Sequence, residues 1–490
     1  MHALIQLRRP LGWAALGAIA LLATTVAAPL ADSRTARARV ALVPLDDRSP
    51  NLQMPVMLGA VADAEVLTPP RGILGRDLKT GDGVAVAQWL DGLDLSTFDA
   101  VIVSTDMLAY GGLAGSRVPR VFEAEARQRL AALERLKQRR ADLRIYAFGT
   151  MPPPAAEGHS DAVRQARVRN LAINGVLTEK AASGAIDHLA FGQDSARDSG
   201  ADHLAMLLLT RALMARVAYT PVVQVVYSST NAREVGAAVA SQVAAAGGRV
   251  ADRADLQVFV YTSRNESPDQ ADALVTRVAQ AVTSGRRVVV ADIDPGGGAG
   301  SWLPLVEGLR ARKLLPRLYG YAASTSVEST LGAALAQGLL FALAVDKIAP
   351  PSPDVGVRVA SAQVRLLLFR LVTDFLYEGV VRRQATEDFL RPRGMNPRRL
   401  DESGRLRVER HLAGELKPLA ESLTADFTAQ PWRLPDPAGR RSRVGLTVKD
   451  IEGFTITLPW NRMSEPEIGF TLSATPLGAQ PRPPAPRVLQ

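Results

Sequence analysis

The chain of 490 residues contains no cysteine, five histidines and only 5% aromatic residues. Without cysteine there can be no disulfide, no thiolate nucleophile and no lipid-modified cysteine, so stability must come from packing. The histidines, His2, His159, His188, His203 and His411, have no HExxH or other metal-ligand spacing. No GxSxG frames a serine nucleophile, which counts against an α/β-hydrolase. No GK[ST] closes a phosphate loop. The formal charge of +9 is spread without a dense basic block, and no zinc-finger, homeodomain or RNA-recognition signature accompanies it, so nucleic acid is not an expected partner. Long apolar runs are missing beyond the amino terminus, which gives no expectation of a later membrane span.

What is present is 47% hydrophobic residues, enough for a large core and, at this length, two or three folding units. Residues 1–31 carry Arg8 and Arg9, then "LGWAALGAIALLATTVAA", then small residues before Asp32. That is the layout of a secretory signal, with cleavage expected near Ala28 or Ala31 and export to the periplasm or beyond. The apolar run is shorter than the roughly 20 residues a spanning helix needs.

From residue 39 to about 345, short β-branched runs alternate with helix-like stretches. The expected strands are "RVALVPL" (39–45), "AEVLTP" (64–69), "DAVIVST" (99–105), "RIYAFGT" (144–150), "DHLAFGQ" (187–193), "VVQVVYS" (222–228), "LQVFVYTS" (256–263), "RRVVVADID" (286–294) and "RLYGYAAS" (317–324). Between them Phe122, Ala126, Leu130, Leu133 and Leu136 recur at helical spacing. Apolar strands separated by helices predict an α/β fold with a parallel sheet covered by helices. Nine strands fit a (β/α)8-barrel-like core with one extra strand; the alternative is a large doubly wound sheet. The expected organisation is a core over 32–350, a helical region over 351–430, a small antiparallel β region over 431–475 and a Pro-rich tail over 476–490. In the β region "VGLTVK" and "FTITLPW" are expected to form a hairpin about "DIEG".

In either arrangement ligands bind at the carboxyl ends of the strands. There the sequence places Asp46, Asp47, Arg48 and Asn51, then Asp106 and Tyr110, Arg117 a little beyond, Gln193 and Asp194, Tyr261 and Asn265, and finally Asp292 and Asp294. Acids beside a guanidinium allow one carboxyl to stay ionised while another, less solvated, keeps a raised pKa for acid work. On an extended strand Asp46 and Asp47 face opposite sides. Asp292 and Asp294 project to one side, as a hard divalent cation would need. No other cofactor is expected.

The segments "LDDRSPN", "STDMLAYGGLAGSR" (104–117), "VADIDPGGGA" (290–299), "TLGAALAQG" (330–338) and "LPWNR" (458–462) together resemble a bacterial family catalogued as domain of unknown function 4127. The resemblance runs in order from about residue 40 to 470. Two departures stand out: "QDSA" (193–196) replaces a paired "DDA", and "AASTSVESTLG" (322–332) lacks the Trp and Asn of the pattern. The family pattern is similar in turn to hexosaminidase-type barrels, where adjacent acids at a strand end cleave N-acetyl sugars with help from the acetamido group. That similarity, together with the secretory leader, implies an exported carbohydrate-active protein acting on a glycan or cell-envelope polymer, with Asp194, Asp47 and Asp106 as catalytic acids. Asp46, Arg48, Asn51, Tyr110, Arg117, Gln193, Tyr261 and Asn265 would contact the ligand. Ser195 is a poor proton donor in the second acid's place, which leaves a non-catalytic protein binding glycan or another anionic ligand as the other expectation.

Overall fold

The computed structural model describes residues 37–152, 160–193, 201–262, 266–293, 303–324, 326–350 and 352–478. The described residues form one compact unit. All nine expected strands are present. The first parallel sheet contains β1 (Arg39–Val43), β2 (Glu65–Leu67), β3 (Ala100–Ser104), β4 (Arg144–Met151) and β5 (His188–Gln193), in the order β2-β1-β3-β4-β5. The second contains β6 (Val222–Tyr227), β7 (Arg249–Val250), β8 (Leu256–Thr262), β9 (Arg287–Ile293) and β10 (Gly320–Ser324), in the order β10-β9-β8-β6-β7. Within these two sheets β7 alone lies outside the expected strands, because two residues carry no periodicity.

The two sheets trace the same path. In each, the first strand lies between the second and third, and the fourth and fifth follow outward. No repeat period is visible in the sequence, so the repetition lies in topology alone. Central strands are apolar on both faces: β3 is buried at every position, as it must be when helices cover both sides. Helix Leu204–Arg216 packs on β3, β4 and β5 and also on helix Val327–Leu343, which covers β8, β9 and β10. "TLGAALAQG" serves this packing. A Cβ on Gly338 would sit 2.2 Å from Val289 Cγ2, and one on Gly332 would sit 2.6 Å from His203 Cβ.

Val327–Ile348 is long and apolar enough to cross a membrane by length and composition, which corrects the expectation that no later segment would be. In the fold, 83% of its most apolar window is buried, so its hydropathy is that of a core helix.

Two further expectations are corrected. The helical pattern starting at Phe122 forms two helices, Glu123–Leu130 and Ala132–Arg139. Ala126, Leu130, Leu133 and Leu136 are fully buried, but Phe122 precedes the first helix in extended conformation and is 76% exposed. In the carboxyl-terminal sheet, "DIEG" is no turn. It lies within one long strand, β12 (Gly445–Thr457), preceded by β11 (Trp432–Arg433) and paired antiparallel with β13 (Glu467–Pro476). Register shifts at Val448/Asp450 and Glu452/Thr455 absorb the polar residues as bulges. The true connection is 458–466, which contains "LPWNR". Before it, helix Pro353–Arg370 runs into a π-type segment, Leu371–Val381, and helix Glu402–Thr428 packs on β12.

Candidate functional site

Beyond β1 the apolar strand gives way to Asp46, Asp47 and Arg48, which leave the sheet where β2 and β3 flank it on opposite sides. In an open α/β sheet this switch point is where a crevice forms. Asp46 fixes the turn: its Oδ1 accepts from the Arg48 N–H at 3.1 Å and from Asn51 Nδ2 at 2.8 Å. Arg48 then folds back, donating from Nε to Asp46 Oδ2 at 2.9 Å. Its two Nη atoms reach Asp202 Oδ2 at 2.9 Å and Oδ1 at 2.7 Å. Asn51 Nδ2 lies 3.1 Å from the same Asp202 Oδ1. All four side chains are buried. Burial works against the Arg48 charge, yet Asp202, Asp46 and Glu465 outweigh it and hold the guanidinium pKa well above its ordinary value.

Asp47 points elsewhere. Its Oδ1 accepts from Trp460 Nε1 at 2.6 Å, and its Oδ2 from Arg71 Nε at 3.0 Å, with Arg76 Nε at 3.7 Å. The Trp460 ring meanwhile lies under the Arg48 guanidinium, 5.2 Å away. The indole therefore links Asp47 to the Arg48–Asp46 pair. Arg71 also bridges to Glu467 at 2.7 Å, so the connection 458–466 and the start of β13 close over the end of β1.

Glu465 lies in that connection. It is half-buried and its carboxyl is pushed up to about 7. Burial is the largest cause; Arg48 pulls the other way, while Asp202 and Asp46 add to the rise. One acid of ordinary type with a pKa near neutrality, beside acids committed to an arginine, is an arrangement suited to proton transfer.

Asp106 and Tyr110 form a neighbouring group beyond β3. Asp106 is buried and accepts from the Thr150 N–H at 2.7 Å and Thr150 Oγ1 at 3.1 Å, at the end of β4. The Arg169 guanidinium lies 4.1 Å over the Tyr110 ring and also donates to Ser116, Val118 and Val121 carbonyls. Burial, then nearby Asp106, push the Tyr110 phenol well up, so it stays protonated. After it Gly111 and Gly112, at φ 80° and 104°, make the turn. Arg117 and Gln193 are exposed. Tyr261 and Asp292 are buried together in the second sheet. Asp194, Asn265 and Asp294 lie outside the described residues.

Asp202, Trp460 and Glu465 were not among the residues expected from sequence. Asp202 and Glu465 sit in no strand-end motif; only "LPWNR" gave a local signal, as part of the family resemblance. Among the described residues no group of three or more His, Asp or Glu side chains is placed to hold a metal ion. A cavity of about 510 Å³ lined by Asp94, Leu95, Ser96, Arg139 and Arg140 opens at the amino ends of β3 and β4, away from these acids.

A family model described as protein of unknown function (DUF4127) matches residues 40–162 and 195–469. The chain belongs to this family. The matched segments contain every member of the Asp46–Arg48–Asp202–Glu465 cluster, whereas Asp194 falls between them. No curated protein matches the chain.

Proposed function

We propose that this family member is an exported carbohydrate-active protein, glycoside hydrolase-like, using carboxyl acid/base chemistry on a glycan of the cell envelope. The observation that carries the reading is Glu465, a carboxyl with its pKa raised to about 7 beside Asp46 and Asp202, two acids salt-bridged to Arg48 at the end of β1. A glycosidase needs one carboxyl protonated to assist the leaving oxygen and one ionised to act as base or nucleophile. Glu465 suits the first role. Asp47, hydrogen-bonded to Trp460 and Arg71, and Asp106, held by Thr150, are the described acids available for the second. Whether the ligand mouth is that of a closed barrel or of doubly wound halves, it lies at carboxyl strand ends; the 2-1-3-4-5 path of both sheets supports the doubly wound form. The amino-terminal leader supports export.

The test is release of reducing ends from N-acetylated envelope glycans by the mature protein and by Glu465→Gln. Wild type is expected to turn over with a rate that declines as pH rises through about 7, and the variant to lose turnover while keeping binding. Turnover undiminished in the variant overturns the role of Glu465. A second reading, non-catalytic binding of glycan or another anionic ligand, is favoured by the saturation of Asp46, Asp47 and Asp202 with arginine and indole donors. It predicts saturable binding without product, equal in wild type and Glu465→Gln.

A further inference from the structure

The second sheet has its own switch point, between β6 and β8. Register sets Tyr227 beside Val260 and Tyr261 beside Asp292, and the Ser228 N–H donates to the Val260 carbonyl at 3.0 Å. Ser228, Tyr261 and Asp292 therefore end three adjacent strands in one row. Glu266, just past β8, turns back onto this row. One of its oxygens, Oε1, accepts from Ser229 Oγ at 2.7 Å, from Thr262 Oγ1 at 3.2 Å and from Ser228 Oγ.

Its other oxygen, Oε2, is buried without a hydrogen-bond partner, and so is the Tyr261 hydroxyl. Glu266 is 6% exposed and Tyr261 0%. Buried polar atoms are nearly always satisfied, and a buried carboxylate without a counter-charge is costly. Glu266 pairs with no cation among the described residues. Among the described basic groups near this row, Arg277 donates to the Tyr227 carbonyl at 2.9 Å, Arg233 lies over the Tyr227 ring, and Arg370 is engaged by Asp374 at 2.6 Å. Burial, with Asp292 and Glu266 nearby, pushes the Tyr261 phenol up, so it remains a neutral hydroxyl able both to donate and to accept.

We propose that this strand end binds a small ligand through a primary ammonium group, which donates to Glu266 Oε2 and the Tyr261 hydroxyl. An ammonium supplies three donors about a compact positive charge. A neutral hydroxyl would satisfy one oxygen but leave the charge uncompensated. A calcium ion wants six to eight oxygens, and the described residues hold no cluster of three metal-ligating side chains. This inference is independent of the glycan reading of the first strand end.

The test is titration of the full-length protein with methylammonium at constant ionic strength, read as a shift in the thermal midpoint and by calorimetry. Methanol serves as the neutral probe of similar shape, and calcium as the inorganic one. Saturable stabilisation by methylammonium, absent with methanol, is expected. Glu266→Gln should weaken it tenfold or more, as loss of a charged hydrogen bond does at about 1.5–3 kcal/mol. Tyr261→Phe, which removes one oxygen and little packing, should weaken it severalfold. No methylammonium effect in wild type, an effect unchanged in both variants, or saturation by calcium alone would each overturn the proposal.

Discussion

The two parallel sheets share one strand order but finish their switch points in opposite ways. At the end of β1, three buried acids are matched by Arg48 and Arg71, and the connection between β12 and β13 brings Trp460 across them. At the end of β6 and β8, Glu266 is surrounded by hydroxyls and one of its oxygens has no partner. A repeated backbone path thus fixes where polar chains converge and leaves their charge balance to individual residues. The first end is electrostatically closed except at Glu465; the second leaves one carboxylate oxygen of Glu266 without a partner.

The largest expected effect tests how closed the first end is. Arg48→Met should destabilise by about 3–5 kcal/mol, because it leaves Asp46 and Asp202 buried without their shared cation. Denaturant unfolding at neutral pH measures it. Arg48→Lys should recover only part, since an ammonium cannot bond both carboxylates through a planar fork. A loss below about 1 kcal/mol would mean the cluster is solvated and the contrast between the two ends is wrong.

Next in size is the pH behaviour of Glu465. Its folded pKa, about 7, lies above the ordinary value of 4.5, so the folded protein retains a proton that the unfolded chain has released. The stabilisation from that proton is complete below pH 4.5 and is lost as pH rises through about 7. Glu465→Gln carries no such titration. The stability difference between variant and wild type should therefore move in the variant's favour by about 2–3 kcal/mol from pH 4 to pH 8. A parallel pair of pH profiles would show that Glu465 is solvated in solution and unsuited to acid catalysis.

Trp460→Phe removes the indole N–H from Asp47 while keeping an aromatic ring beneath Arg48. A hydrogen bond to a charged acceptor is worth about 1.5–3 kcal/mol, and the expected loss lies at the lower end because Arg71 and Arg76 continue to serve Asp47. Double substitution with Arg71→Met should be more than additive, since both residues share the Asp47 carboxylate.

These contrasts also show what could be read without a structure. Strand positions were legible because β-branched runs such as "AVIVS" are buried on both faces and need no partner to be recognised. The grouping of Asp46, Arg48 and Asn51 was legible because they fall within one stretch of six residues just past a strand end. Asp202 and Glu465 were not, since their partners are 154 residues from Asp202 to Arg48 and still farther for the carboxyl-terminal connection, and nothing local distinguishes them from solvated acids. The "DIEG" segment misled because turn-favouring residues also occupy bulges, and only cross-strand pairing with Glu467–Pro476 tells the two apart. The shared path of the two sheets is likewise set by pairing between strands far apart in sequence.

The smallest expected effect lies at the second end and bears on whether its hydroxyls are structural or serve Glu266 alone. Ser229 has two tasks: its Oγ accepts from the Ala232 N–H at 3.0 Å, capping helix Thr230–Val235, and donates to Glu266 at 2.7 Å. Ser229→Ala should cost about 1 kcal/mol through the cap. In Glu266→Gln the cap persists, so the cost of Ser229→Ala in that background reports the cap, and its difference from the cost in wild type reports the bond to the carboxylate. A cost unchanged by the background assigns Ser229 to the helix. A cost that falls with the carboxylate gone makes Ser229 a group that positions Glu266, and methylammonium affinity should then weaken in Ser229→Ala with no change at the end of β1.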